Sequence, residues 1–177
     1  MKESFFVGLC NKIDNVSDWL GKIFSWLIVL LTLLVVFEVV TRSMNAPTTW
    51  SFELRNYVFG AYFMLVASYA LLYGSHVRID IITSRLSKMT ESIISLISYI
   101  FLFFPFISVW LYFGWSYFST SWSISERSWS AWGPPIWPVK LVIPLAALFL
   151  ILQGISELIK TIVMIRILSI TAKEVSR

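Results

Sequence analysis

Reactive side chains are scarce in this sequence of 177 residues, which has one histidine, one cysteine and only 14% charged residues. A soluble domain carries about 25% charge. His76 stands alone and cannot supply the paired axial ligands of a membrane b-type haem, which argues against a haem-bearing anchor of a respiratory enzyme. Cys10 is equally alone, so there is no internal disulfide and no thiol–disulfide chemistry. No glycine-rich phosphate cradle is present, which removes nucleotide hydrolysis by that route. No file of acidic and histidine residues crosses the apolar stretches, as a proton relay would require. Only Pro105 and Pro144 interrupt those stretches, without a matching internal repeat of the kind that marks a transporter's substrate site. Neither cofactor nor catalytic centre is expected.

What is there instead is apolar: 58% hydrophobic residues and a mean hydropathy of +0.78. A chain this small lacks the interior to hide so much apolar surface. The apolar residues gather into four blocks, at about residues 20–41, 57–73, 93–117 and 137–164. About 20 residues of helix cross a hydrocarbon core of about 30 Å. Backbone in lipid must satisfy its own hydrogen bonds, and the blocks lack the alternation of barrel strands. The expected fold is therefore an all-α integral membrane protein, a single membrane domain over residues 1–177 with four transmembrane helices. The first block is full length and is expected to stay as an anchor. "VGLC" offers a lipoprotein-like cysteine, but nine residues leave no room for an apolar signal core.

Basic residues set the orientation. Ten of the 14 Lys and Arg lie before the first block, between the second and third, or at the end; only Arg42, Arg55, Arg127 and Lys140 belong to the other side. Both termini are expected in the cytoplasm of a bacterial inner membrane. The net charge of +4 is then a matter of orientation, and nucleic acid is not an expected partner.

The connecting pieces have their own patterns. Phe5, Phe6, Leu9, Ile13, Val16 and Leu20 recur at helical spacing among charged residues, which predicts an amphipathic helix over 1–19 at the cytoplasmic interface. Ile79, Ile82, Leu86 and Met89 predict a second interfacial helix over 77–90, or both are plain extensions of spans. The outer connection, 118–136, is rich in Ser, Trp, Gly and Pro and is expected to be irregular. Its tryptophans, with Trp137, either anchor it at the membrane surface or form a docking face for another protein.

Charges cluster at the membrane borders. Glu38 and Arg42, four residues apart, share a helix face. An unpaired charge at mid-bilayer costs about 2.5–3.5 kcal/mol on insertion scales, so an internal ion pair is expected, or else a contact to a partner subunit. Glu53 and Arg55 open the second block beside Trp50, and Glu126 with Arg127 lies in the outer loop; all four read as helix-end and interface charges. In "LYGSHVRIDII" the second block ends at Tyr73 and Gly74, His76 lies in the turn, and Arg78 reaches the headgroups. Asp80 is favoured at the start of the next helix by its dipole.

These stretches together resemble the small membrane subunit of TRAP (tripartite ATP-independent periplasmic) transporters, the DctQ-like Q subunits. The likeness lies in "FEVVTRS", in the Trp50 to Glu53 opening and Gly-x-His-x-x-x-Asp close of the second block, in "SWSISERSW", and in "IWPVKLVIPLAALFLILQG". It implies a non-catalytic subunit that packs against a large multi-span membrane subunit and scaffolds it while that subunit moves as an elevator. It further implies sodium-coupled import of an organic acid delivered by a periplasmic substrate-binding protein. Partner-contact candidates are the polar border residues above, with membrane lipids around them. The competing reading, a self-sufficient homo-oligomeric channel or carrier, needs polar groups at mid-span and has only Glu38.

Overall fold

The computed structural model describes residues 2–73 and 87–175. His76, Arg78, Asp80 and most of the 77–90 segment lie outside the described residues. Among the described residues the chain is helical, with one isolated backbone bridge between Arg127 and Pro135.

Helix α1 runs from Lys2 to Ser25 and α2 from Leu27 to Ser43. They join through Trp26, whose carbonyl accepts from the amides of Val29 at 3.1 Å and Leu30 at 3.4 Å. The amphipathic segment and the first apolar block therefore form one rod, dividing at Trp26 rather than near residue 20. Trp19 and Leu20 carry no capping chemistry, so nothing interrupts the ladder there. The 36 residues from Gly8 to Ser43 span about 54 Å at 1.5 Å per residue, well beyond a hydrocarbon core. The rod ends in a Schellman motif: Ala46 N–H reaches the Thr41 carbonyl at 2.9 Å and Asn45 N–H the Arg42 carbonyl at 3.1 Å. Asn45 takes the left-handed conformation this closure needs, with φ of 56°.

The second apolar block is helical in two pieces, α3 (Thr49–Leu65) and α4 (Ala67–Leu72), which meet at Val66. Hydrogen bonds from Val66 N–H to Tyr62 and from Ala70 N–H to Val66 carry the helical ladder across the junction. Neither piece alone is long enough to cross a bilayer. Where four spans are expected, three helical stretches are long and apolar enough by themselves: Gly8–Ser43, Lys88–Ser123 and Trp137–Thr171.

Ser87 starts the next element, accepting the Thr90 amide at 3.2 Å as an N-cap. Helix α5 (Lys88–Ser98) passes through a π turn (Tyr99–Phe103) into α6 (Phe104–Ser123). Pro105 explains the wide turn. It has no N–H for the Phe101 carbonyl and its ring crowds that oxygen, so the ladder opens and Phe104 N–H reaches back to Tyr99 instead. Helix α7 (Trp137–Val175) carries Pro144 inside it, which deprives the Lys140 carbonyl of its helical donor.

Helix α7 is the central post. It packs along α6 most extensively and also meets α1, α3, α4 and α5. Of its most apolar stretch 39% is buried, against 11% and 6% for the other two long stretches. The core is small: Leu71, Ile107, Ala147 and Leu150, flanked by Phe103, Trp110 and Ile151. Ala146 and Ala147 are wholly buried and let neighbouring helices approach closely. Outside this core, large apolar side chains such as Leu33, Phe63, Phe101 and Phe106 stand more than half exposed.

One crossing tolerates no side chain at all. A Cβ on Gly21 of α1 would lie 2.5 Å from the Tyr69 Cβ of α4, too near the backbone for the ring to swing away. Gly21→Ala is expected to destabilise the folded chain by about 1–3 kcal/mol through overpacking. Thermal unfolding in detergent checks this.

Candidate functional site

Polar side chains collect at the two ends of the bundle, each set tying one helix or loop to another. At one end, labelled outer after the orientation expected from the basic residues, α2 delivers Glu38 one turn before its closure. Arg42 Nη2 lies 3.0 Å from Glu38 Oε1, as the four-residue spacing requires. The second carboxylate oxygen accepts the hydroxyl of Ser51, in the first turn of α3. Ser51 is wholly buried and its oxygen lies 2.6 Å from Thr48 Oγ1. Glu38 itself is 4% exposed, so the carboxylate is a clamp between α2 and α3 and does not face open space. Trp50 stacks obliquely on Phe37 with ring centres 5.4 Å apart, closing the same junction.

Glu53 and Arg55 go separate ways. Glu53 Oε1 accepts from the Ser128 hydroxyl at 3.4 Å, tying α3 to the outer loop, while Oε2 is buried without a partner among the described residues. The Arg55 guanidinium sits 4.8 Å above the Phe52 ring.

The outer loop is ordered by its own hydrogen bonds. Helix α6 closes with a second Schellman pattern, Glu126 N–H to Ser121 at 3.0 Å and Ser125 N–H to Trp122 at 3.1 Å. The loop then doubles back: Ser128 N–H donates to Pro134 at 2.9 Å and Ile136 N–H to Glu126 at 3.0 Å. Gly133, with φ of 58°, supplies the left-handed turn between them. Arg127 donates to the Gly133 carbonyl at 3.5 Å. The expectation of an irregular loop thus meets a stapled one. Trp137 packs edge-on against Trp122 at 4.5 Å, whereas Trp129 is fully exposed at the tip.

The strongest tie here is Lys140 of α7. The residue is 7% exposed, and its ammonium binds the Glu126 carboxylate and lies 3.8 Å from the centre of the Tyr117 ring. A buried ammonium needs such partners. The Lys140 hydrogen bond holds the Glu126 carboxyl below its ordinary range. A carboxyl lowered in the folded state stabilises above its unfolded pKa and stops doing so as pH falls through the folded value. The tie should therefore hold from neutrality down to about pH 4.5, the ordinary value, and be lost progressively below it. In Glu126→Gln the thermal midpoint should be lower at neutral pH and fall less steeply than that of the parent chain in that acid window, as a melting series across pH would show.

The opposite end, labelled inner on the same expectation, holds a cluster that sequence reasoning missed. Asp14 of α1 accepts from Gln153 Nε2 at 3.0 Å and from Ser156 Oγ at 2.8 Å, and pairs with Lys160 Nζ at 2.8 Å. Lys160 also pairs with Glu157 at 2.6 Å. Gln153 and Ser156 are wholly buried, and the buried thiol of Cys10 lies 3.8 Å from the Ser156 carbonyl oxygen. The signal was present in the spacing. Gln153, Ser156 and Lys160 recur at three and four residues along an otherwise apolar helix, which lines three polar groups on one face. Asp14→Ala would leave the buried Ser156 hydroxyl without this acceptor and Gln153 Nε2 with only its 3.4 Å contact to Glu157. We expect a stability loss of about 1–3 kcal/mol, read by chemical or thermal unfolding, and partial recovery in Asp14→Asn.

Among the described residues, no three His, Cys, Asp or Glu side chains come together as a metal-binding group. The polar groups brought together do one thing on this geometry: they bind helix to helix at the two ends of an apolar bundle. Long apolar helices, charges confined to their ends and a surface of exposed large hydrophobic residues define a multi-helix membrane protein. The family model described as "Tripartite ATP-independent periplasmic transporters, DctQ component" matches residues 31–164, well over half of the chain. The chain belongs to that family, the small membrane component of TRAP transporters. Among curated proteins none matches significantly. The matched span takes in Glu38, the outer loop, Lys140 and Gln153 but not Asp14.

Proposed function

We propose that this chain is the non-catalytic scaffold of a TRAP transporter, packing against the large membrane subunit while that subunit carries a substrate across the membrane. The observation that carries the reading is the distribution of polarity. Every charged side chain with a pair among the described residues sits toward a bundle end, and the length between is lined outward by Leu, Ile, Val and Phe. A static subunit beside a moving one needs broad apolar contact and rigid border ties, and both are features of this surface.

In this reading α3 and α4 cross the membrane together as the remaining span, giving four, with both termini cytoplasmic in a bacterial inner membrane. His76, Arg78 and Asp80 mark the cytoplasmic border after that span. Glu38, Arg42, Trp50, Glu53, Arg55, Glu126, Arg127 and Trp137 form the outer border, whose exposed members, Arg42 and Trp50 among them, are available to the large subunit. The substrate is an organic acid, delivered by a periplasmic binding protein and imported with sodium. A self-sufficient channel draws no support from Glu38, because Ser51 and Arg42 already occupy its carboxylate.

Proteoliposomes provide the test. The chain alone should take up no organic acid and pass no ion current above empty vesicles. The chain with its large subunit and binding protein should transport under a sodium gradient, and an affinity tag on the chain should retain the large subunit in detergent. Uptake by the chain alone would overturn the scaffold reading.

A further inference from the structure

Between α5 and α7, where both helices enter their apolar stretches, lies an open cleft of about 300 Å³. One wall carries Lys88 and Glu91 of α5, the other Glu157 and Lys160 of α7, with Met164 lining its apolar side. Charges of both signs thus meet in one small volume. Lys160 is already engaged by Asp14 and Glu157. Lys88 and Glu91 form no ion pair among the described residues, although both line the cleft.

We propose that this cleft binds the phosphoethanolamine headgroup of a membrane lipid. The charge balance selects the headgroup class. The two ammonium groups are matched by two carboxylates, and Asp14 behind Lys160 tips the sum negative, so a purely anionic headgroup gains little. A phosphate at Lys88 also meets the first turn of α5, where unpaired amides and the helix dipole favour an anion. The ligand's ammonium then lies toward Glu91 and Glu157. It must carry N–H donors to satisfy those carboxylates, which a choline lacks. The acyl chains have an apolar exit at Met164, which lines the cleft and is 50% exposed. The inference rests on the membrane placement proposed above and is independent of the scaffold role.

The test uses the full chain, purified in detergent and stripped of lipid, with native mass spectrometry for bound lipid and thermal unfolding for its effect. Dioleoyl-phosphatidylethanolamine should give a one-lipid adduct and raise the thermal midpoint, while the phosphatidylglycerol and phosphatidylcholine analogues do so far less. The Lys88→Gln/Glu91→Gln double variant should keep its lipid-free midpoint and bind the ethanolamine lipid at least about tenfold more weakly, because both of its charged contacts on α5 are gone. Equal responses to the three lipids, no response to any, or undiminished binding by the double variant would overturn the proposal. Soluble phosphoethanolamine serves as the second arm. If it stabilises as well as the lipid does, the cleft takes a free phosphate ester and the lipid assignment fails. Retention of the large subunit by the double variant separates failure here from failure of the scaffold reading.

Discussion

Lipid tails are as apolar as leucine, so a bilayer supplies no hydrophobic drive to bring helices together, and the helices of this chain depend on close packing and polar ties. Both converge on α7. Ala146, Ala147 and Gly154 thin that helix where its neighbours cross it, and a Cβ on Gly154 would stand 2.3 Å from the Phe103 ring. Lys140 near one end and Gln153, Ser156 and Lys160 toward the other then catch the outer loop and α1. Remove α7 and α1, α5 and α6 lose the element they share. The small core follows from the same constraint, because a helix in lipid has no need to hide its leucines.

The two polar ends differ in kind. The outer end binds mostly near neighbours in sequence, α2 to α3 through Glu38 and Ser51 and the loop to the start of α7 through Glu126 and Lys140, with Glu53 and Ser128 as its one longer tie named above. The inner end binds the chain's extremes, Asp14 to Gln153 and Ser156. The family match begins only at residue 31, so the inner anchor on α1 lies outside the matched span while its receiving residues on α7 lie within it. A subunit built this way is tied at both ends and apolar between them, in keeping with the scaffold role proposed for it.

Several of these features were legible in the residues themselves. Block length and the absence of alternation were enough for helices, since the bilayer permits little else. Spacing by four was enough to place Arg42 beside Glu38, because that pair belongs to one helix. Trp50, Glu53, Arg55, Glu126, Arg127 and Trp137 could be assigned to borders but not to partners. That Glu53 would take Ser128 and leave Arg55 to the Phe52 ring depends on how two distant segments meet. The joint at Trp26 and the division of the second block at Val66 left no composition signal, since neither residue breaks a helix.

Sequence alone determined the solvent, the secondary structure and the confinement of charge to membrane borders, because each follows from local composition and from the cost of bare polar groups in lipid. The tertiary structure decided which helix became the post, which carboxylate met which donor, and where glycine had to stand. Those outcomes depend on the directions in which separate helices cross, as Gly21 against Tyr69 and Asp14 against Ser156 show. Contacts between residues far apart along the chain are products of that crossing, and no local pattern contains them.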